Sequence, residues 1–375
     1  MVTIGSQRPI ERILQAQFPL EGDRGPDPPQ AAPRSASVDP QTNVRVESIP
    51  VALTQENLGR LDKTNSTRPA KSTPPSRPPT EGNESASETT STPSSFPSDF
   101  EMKAIYNGVL DRMGSKLPKN LEDERTRLDR SRLSPPPPES EWLQYLDAAE
   151  FSPNKATLMF AMPTTHLLKG RPWEPGHSKV YTQAFTAFPD VGFNHNLLAP
   201  RPDVAEGLRA SDFNPFPITD ELGGAAVQVP EARNSVALPH MAGEWEAPGG
   251  NLLWARARGA YDGAALVYAR NKAFNYVGKS DPRGHSIITT FTSDGTNLSF
   301  FAHYAGRWEI TGKIEYHQYP ICSTNMTNSY EEWKKGRRQL RNMQEDAWNY
   351  SCALRDQLVD HWKAESDLTA CQPAE

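Results

Sequence analysis

The hydrophobic positions of the C-terminal part of the chain repeat at helical intervals. Apolar residues spaced by three, four or seven positions are Trp333, Leu340, Met343, Ala347, Leu354, Leu358 and Trp362. This spacing places them along one face of a helix. The pattern predicts a long helix over residues 329–366 that lies across a sheet or closes the domain.

Runs that are rich in β-branched and aromatic residues predict four strands upstream of that helix. They cover residues 235–242, 286–292, 298–304 and 313–321. The second and third runs are joined by Asp294 and Gly295, and Asp-Gly between such runs is typical of a hairpin.

Two further helices are predicted around these strands. Residues 139–150 place Trp142 and Tyr145 on one face, and Asn251 can cap a helix that runs to about residue 275. The second helix contains small residues that permit close packing on a sheet: Ala260, Gly263, Ala264 and Ala265. Strands and helices in this order indicate an α/β domain with a mixed central sheet flanked by helices.

The N-terminal third of the chain has no comparable pattern. Of the 35 prolines, 20 fall in the first 140 residues, whereas all eight tryptophans come later. Such a segment buries too little apolar surface to offset the entropy lost on ordering. We expect residues 1–138 to form a long disordered Pro/Ser/Thr-rich arm and residues 139–375 to form the domain. A short helical pattern at residues 8–18 is interpreted as a transient helix, a docking motif or an unbound amphipathic fragment within the arm, and a second helical pattern covers residues 100–113.

The arm also contains candidate modification sites. Thr73 and Thr92 each precede a proline in Ser/Thr/Pro-rich low-complexity sequence. Proline-directed kinases would accept such pairs, and a passive spacer has the same composition. Protein partners that bind through the arm are therefore one expectation.

Charge and cysteine content limit the classes of function. The net charge of −6 gives no global attraction for nucleic acid or anionic membranes, so a nucleic-acid partner requires a local basic patch. No signal peptide and no run of eighteen apolar residues is present, and the three cysteines match neither a zinc site nor a disulfide framework. We expect an intracellular protein, nuclear or cytoplasmic and not secreted, with free thiols and no membrane association.

We single out two acidic residues as a pair of positions at strand ends. Asp203 ends the sequence Pro-Arg-Pro-Asp, and Glu244 lies in Gly-Glu-Trp-Glu. Carboxylates from adjacent strands can converge on Mg²⁺, a hard cation that prefers oxygen ligands. Ordinary surface carboxylates have the same pattern, so the pair alone is weak evidence for a metal site.

Five stretches in a fixed order carry a family resemblance: PRPDVAEGLR, GEWEAPGGNL, YDGAALVYARNKA, GKSDPRGHSIITTFTSDGTNLSFFAHYA and YHQYPI. They resemble an uncharacterised fungal domain family whose core is similar to the PD-(D/E)XK, or restriction-endonuclease-like, nucleases. The resemblance covers roughly residues 198–362. It implies a restriction-endonuclease-like fold in which Asp203 and Glu244 hold Mg²⁺ for phosphodiester cleavage.

The sequence departs from that pattern at two places. The resemblance implies a lysine two residues after Glu244, where it orients the attacking water, but Glu246 occupies that position. The following helix has Ala257 and Arg258 where the family often has an amide side chain. Three interpretations stay open: a nuclease using Asp203, Glu244 and Glu246, a degenerate domain that only binds nucleic acid, and a non-catalytic scaffold with a phosphorylatable arm.

Basic residues in the helix after Glu246 are the candidate phosphate contacts: Arg256, Arg258, Arg270 and Lys272, with Lys279 just beyond it. A solvated helix face has the same pattern. A second cluster opens the last helix, with Lys334, Lys335, Arg337, Arg338 and Arg341. Neighbouring glutamates favour surface pairing there. His240 and His303 are interpreted as structural residues.

Overall fold

The structure, a computed structural model, describes residues 99–161, 167–168, 176–307 and 312–370, without the side chains of 369 and 370. Residues 1–98 lie outside the described residues, and so do the helical pattern at residues 8–18, both Thr-Pro pairs and most of the predicted arm. Cys371 also lies outside them, whereas Cys322 and Cys352 form no disulfide among the described residues.

The described residues form helices and strands in alternation. The helices are α1 (Phe100–Tyr106), α2 (Leu121–Asp129), α3 (Glu139–Phe151), α4 (Lys155–Ala161), α5 (Ile218–Leu222), α6 (Leu252–Tyr276) and α7 (Tyr330–Ala370). The strands are β1 (Val109–Leu110), β2 (His177–Tyr181), β3 (Val204–Arg209), β4 (Val236–Trp245), β5 (Ile288–Ser293), β6 (Asn297–Arg307) and β7 (Ile314–Asn325).

The strands form one mixed sheet in the order β1-β7-β6-β5-β4-β3-β2. Strands β2, β3 and β4 form an antiparallel meander, and β4 is parallel to β5 across the connection that contains α6. Strands β5, β6 and β7 are again antiparallel, and β1 adds in parallel to β7. This confirms the predicted mixed α/β sheet with flanking helices.

Short-range interactions determine where several of these elements begin and end. Asn251 accepts a hydrogen bond from the backbone N–H of Leu253 at 3.0 Å and caps α6 as predicted. At the β5–β6 turn, Asp294 Oδ1 accepts hydrogen bonds from the backbone N–H groups of Thr296 and Asn297. Gly295 supplies the positive φ of 85° that this turn requires.

Helices cover both faces of the sheet. Tyr261 and Ala264 of α6 pack against Ala242 and Ile288 on one face. The other face is covered by α2, α3, α4 and the first half of α7, around a buried cluster that includes Trp245, Phe291, Leu298, Phe300, Trp333 and Leu340. Beyond that half, Leu354 and Leu358 of α7 pack with Ala269 and Ala273 of α6. Among the described helices, none combines the length and apolar character that a membrane span needs.

The boundary predicted at residue 139 places too much sequence in the arm. Phe100 is fully buried and its ring meets that of Tyr261 edge to face, with centroids 5.4 Å apart. Strand β1 pairs with β7, and Leu121 and Leu128 of α2 are buried in the core. The helical pattern at residues 100–113 therefore belongs to the packed domain and not to the arm. The sequence did not indicate this, because the partners of these short elements lie far away along the chain.

Candidate functional site

The two acids singled out by the sequence lie side by side. Asp203 immediately precedes β3 and Glu244 is the second-to-last residue of β4, and these strands are neighbours in the sheet. Glu244 Oε1 accepts a hydrogen bond from the backbone N–H of Asp203 at 3.0 Å. Asp203 Oδ2 accepts one from the backbone N–H of Trp245 at 2.7 Å. The strand pairing therefore brings together two buried carboxylates that are far apart in the sequence.

Both carboxylates are in contact with cations of the chain itself. Lys155 Nζ, at the start of α4, lies 2.7 Å from Asp203 Oδ2. Arg258 Nε donates to Glu244 Oε2 at 2.5 Å, and its side chain is only 12% exposed. These contacts neutralise part of the negative charge that desolvation makes costly.

Arg258 also contacts the residue at the position of the missing lysine. Its Nη2 donates to Glu246 Oε1 and, at 3.1 Å, to the backbone oxygen of Trp245. The two departures from the family pattern are therefore partners: the acid at 246 is matched by a base at 258. The positive charge absent from the end of β4 is supplied by α6 instead.

A third buried carboxylate belongs to the same site. Asp262 lies one helical turn after Arg258 on α6 and is 3% exposed, and its Oδ2 has no hydrogen-bond partner among the described residues. Burial, reinforced by the charge of Asp203, raises the pKa of Asp262 to about 7. Burial followed by the charges of Asp203 and Asp262 raises the pKa of Glu244 well above its usual value. Each of these two carboxyl groups therefore binds a proton more readily than it would in water.

Sequence reasoning missed two members of this site. Lys155 opens a short helix that has no recognisable motif, so nothing in the sequence singled it out. Asp262 did leave a signal, because it is the only acid in the otherwise apolar and basic stretch of residues 252–276 and lies four residues after Arg258. An acid in a helix that packs on a sheet requires a partner.

Magnesium does not fit this arrangement. The oxygens that would bind it contact Lys155 and Arg258, and a divalent cation would have to replace both. Over the ranges that the structure describes, no group of three or more His, Cys, Asp or Glu side chains has the arrangement of a metal site. In this arrangement the two carboxylates form ion pairs with the side chains of Lys155 and Arg258.

The basic residues predicted to follow a phosphate backbone along α6 are mostly engaged inside the protein. Arg258 belongs to the carboxylate site, and Arg270 forms a bidentate pair with Asp281 at 2.6 and 2.9 Å. Lys272 donates to the backbone oxygen of Leu222 at 2.8 Å. Only Arg256 of the four keeps an unsatisfied group among the described residues, a buried Nε. The helix is packed between the sheet and other elements, so it offers no continuous basic face.

The two histidines near the motifs are held by interior contacts. The ring of His240 lies between Arg270 and Ser351, and burial followed by the charge of Arg270 lowers its pKa well below the usual value. His303 Nε2 lies 2.7 Å from Thr290 Oγ1, and burial lowers its pKa to about 3. Both are neutral at physiological pH.

Comparison with known proteins adds no assignment to this geometry. No protein-family model matches the sequence, and no curated protein is significantly similar to it.

Proposed function

We propose that the domain is a degenerate member of the restriction-endonuclease-like class that binds nucleic acid without cleaving it. The observation that carries this proposal is the pair of cations on the carboxylate centre, Lys155 on Asp203 and Arg258 on Glu244. The position of the two acids at the ends of adjacent strands supports the nuclease ancestry that the sequence motifs suggest. In the cell such a protein would act in the nucleus or cytoplasm.

Arg258 opposes the entry of a metal ion. Two unit charges about 4 Å apart repel by about 4 kcal/mol at an effective dielectric constant of about 20, so Mg²⁺ beside Arg258 would meet a repulsion of about 8 kcal/mol that its attraction to the carboxylates has to offset. Withdrawal of Arg258 to avoid this cost would leave Glu246 unpaired at the end of β4. Weak Mg²⁺-dependent cleavage, the catalytic alternative, requires that Arg258 leave Glu244 and that Lys155 leave Asp203.

A non-catalytic scaffold is the second candidate. The engagement of Arg258, Arg270 and Lys272 inside the protein favours it, since these residues were the expected phosphate contacts. The two candidates differ in whether the full-length chain binds nucleic acid at all.

One experiment separates the three outcomes. Fluorescence anisotropy would measure the binding of full-length protein to single- and double-stranded oligonucleotides at two salt concentrations. Plasmid nicking with Mg²⁺ or Mn²⁺ would be followed in parallel, with Asp203→Ala as the control variant. We expect salt-dependent binding and no nicking. Nicking that Asp203→Ala abolishes would overturn the proposal in favour of catalysis, and absence of binding would overturn it in favour of the scaffold.

A further inference from the structure

A cleft with strongly positive walls lies at the start of α7, apart from the carboxylate centre. It encloses about 540 Å³, and its basic residues are Arg132, Lys334, Arg337, Arg338 and Arg341. Residues 135–137, three consecutive prolines, form the facing wall, and no acidic residue lines the cleft. The sequence pattern had suggested ordinary surface pairing for this cluster.

That pairing accounts for only part of the positive charge. Lys334 pairs with Glu331 at 2.7 Å, Arg337 with Glu141 at 3.3 Å and Arg132 with Glu345 at 2.7 Å. Arg338 and Arg341 form no ion pair with any described residue, and the buried Nε of Arg338 has no hydrogen-bond partner among them. Two guanidinium groups in a cleft thus lack the anion that such groups ordinarily bind.

Burial and the neighbouring positive charges both disfavour the charged form of Arg341. Burial, followed by the charges of Arg337 and Arg132, lowers the pKa of Arg341 to about 9. Glu206 and Glu141 act in the opposite direction, but the carboxylate of Glu206 is occupied by Lys179 and Gln344, and that of Glu141 pairs with Arg337. An anion that entered the cleft would relieve this repulsion and satisfy the open donors at the same time.

The dimensions of the basic row indicate what kind of anion would fill it. Residues 334 to 341 of a helix span about 10 Å at a rise of about 1.5 Å per residue. Successive phosphates of one strand are at least about 3.4 Å apart, which is their rise along the axis of a duplex, so the row is long enough to contact more than one of them. A single phosphorylated side chain would contact only a part of the row.

We propose that this cleft is where the domain holds the phosphate backbone of a nucleic-acid strand, with Arg338 and Arg341 as the principal contacts. The inference rests on the proposed nucleic-acid binding and names its surface, which replaces the α6 residues that the sequence suggested. Arginine suits the task because its planar group donates two parallel hydrogen bonds to a phosphate.

The test compares two double variants of the full-length chain. Arg338→Gln/Arg341→Gln removes two charges from the cleft, whereas Lys335→Gln/Lys363→Gln removes two exposed charges from the same helix outside it. We expect the first variant to raise the Kd for a single-stranded oligonucleotide at least about 10-fold and to lower the salt slope by about 1.4, and the second to leave both nearly unchanged. Thermal melting of both variants would verify that they fold.

Each outcome has a distinct meaning. If the unmodified protein binds no oligonucleotide, the proposed function fails. If it binds and the cleft variant binds equally well, this inference alone fails. Inorganic triphosphate and a peptide phosphorylated on serine serve as competitors, and a peptide that displaces the oligonucleotide at lower concentration than triphosphate would also overturn it. Recovery of affinity in Arg338→Lys/Arg341→Lys would support an electrostatic backbone contact.

Discussion

Glu246 and Arg258 form an ion pair between the end of β4 and the second turn of α6. In the pattern that the sequence resembles, the strand position carries the positive charge. Here the residue after the strand is acidic and the helix residue is basic, so the two positions have exchanged which of them carries the positive charge. The pair holds the guanidinium in place over Glu244, which explains how a centre with several buried acids can remain closed.

Reversal of this exchange should open the centre to a metal ion. In Glu246→Lys/Arg258→Gln the lysine stands two residues after Glu244 and the cation over that carboxylate is gone. We expect the double variant to gain measurable Mn²⁺ binding in isothermal titration calorimetry, with the unmodified chain showing none. Addition of Asp203→Ala to the double variant should remove the gain. Metal binding that survives the loss of Asp203 would show that another site is responsible.

Loss of Arg258 alone should destabilise the fold. Arg258→Gln leaves the buried carboxylate of Glu244 and the partly buried carboxylate of Glu246 without their cation, and breaking a buried pair from one side costs about 3 to 5 kcal/mol. Urea unfolding would measure this change in the free energy of unfolding. Arg125→Gln is the matched control, because its pair with Glu122 is exposed and contributes no more than about 1 kcal/mol. Equal effects of the two substitutions would contradict a buried structural role for Arg258.

The protonation of Asp262 should appear in the pH dependence of stability. Its pKa lies near 7 in the folded state, above the usual value of 3.8, so between these values the folded protein binds more protons than the unfolded chain. Stability due to this group is therefore present below about pH 4 and is lost as the pH rises towards 7. Asp262→Asn cannot titrate, and we expect its stability to rise relative to the unmodified protein over this range.

The measurement is urea unfolding of both proteins at several pH values between 4 and 8. Glu331→Gln, a change at an exposed acid on α7, controls for the loss of one negative charge. Parallel stability curves for Asp262→Asn and the unmodified protein would show that Asp262 is ionised at every pH tested. A curve for Glu331→Gln that diverges in the same way would assign the effect to net charge.

The sequence predicted those parts of the fold that local patterns determine. The cap at Asn251, the turn at Gly295 and the apolar stripe of α7 each act within a few residues, and the structure has all three. The place of residues 99–129 in the domain could not be predicted, because Phe100 and Leu121 are ordered by contacts with distant residues.

The candidate site was predictable to a similar degree. Motif order indicated that Asp203 and Glu244 would meet, and strand pairing brings them together. The contacts of Lys155 and Arg258 depend on how α4 and α6 pack against the sheet, and no spacing rule reports that. The cleft on α7 could not be predicted either, because glutamates interleaved with its basic residues predicted a surface on which the charges are paired.

The distance between α6 and the sheet is set in part by Gly263, next to Asp262 in the sequence. A Cβ at Gly263 would lie 2.1 Å from His303 Nδ1, and the His303 ring is buried and held by Thr290. Gly263→Ala must therefore push the helix away, and we expect a loss of about 1 to 3 kcal/mol in the free energy of unfolding.

Gly259, one turn earlier on the same helix, provides the matched control for this substitution. A Cβ there would meet only ordinary contacts, the nearest 3.5 Å away at Gln318, so Gly259→Ala should gain roughly 0.5 to 1 kcal/mol from helix propensity. His303→Ser removes the ring that obstructs Gly263. In a double-mutant cycle, Gly263→Ala should then cost much less in the His303→Ser background than in the unmodified protein. Additive effects of the two substitutions would show that contacts other than this one hold α6 at its distance, and with it Arg258 and Asp262 against Glu244.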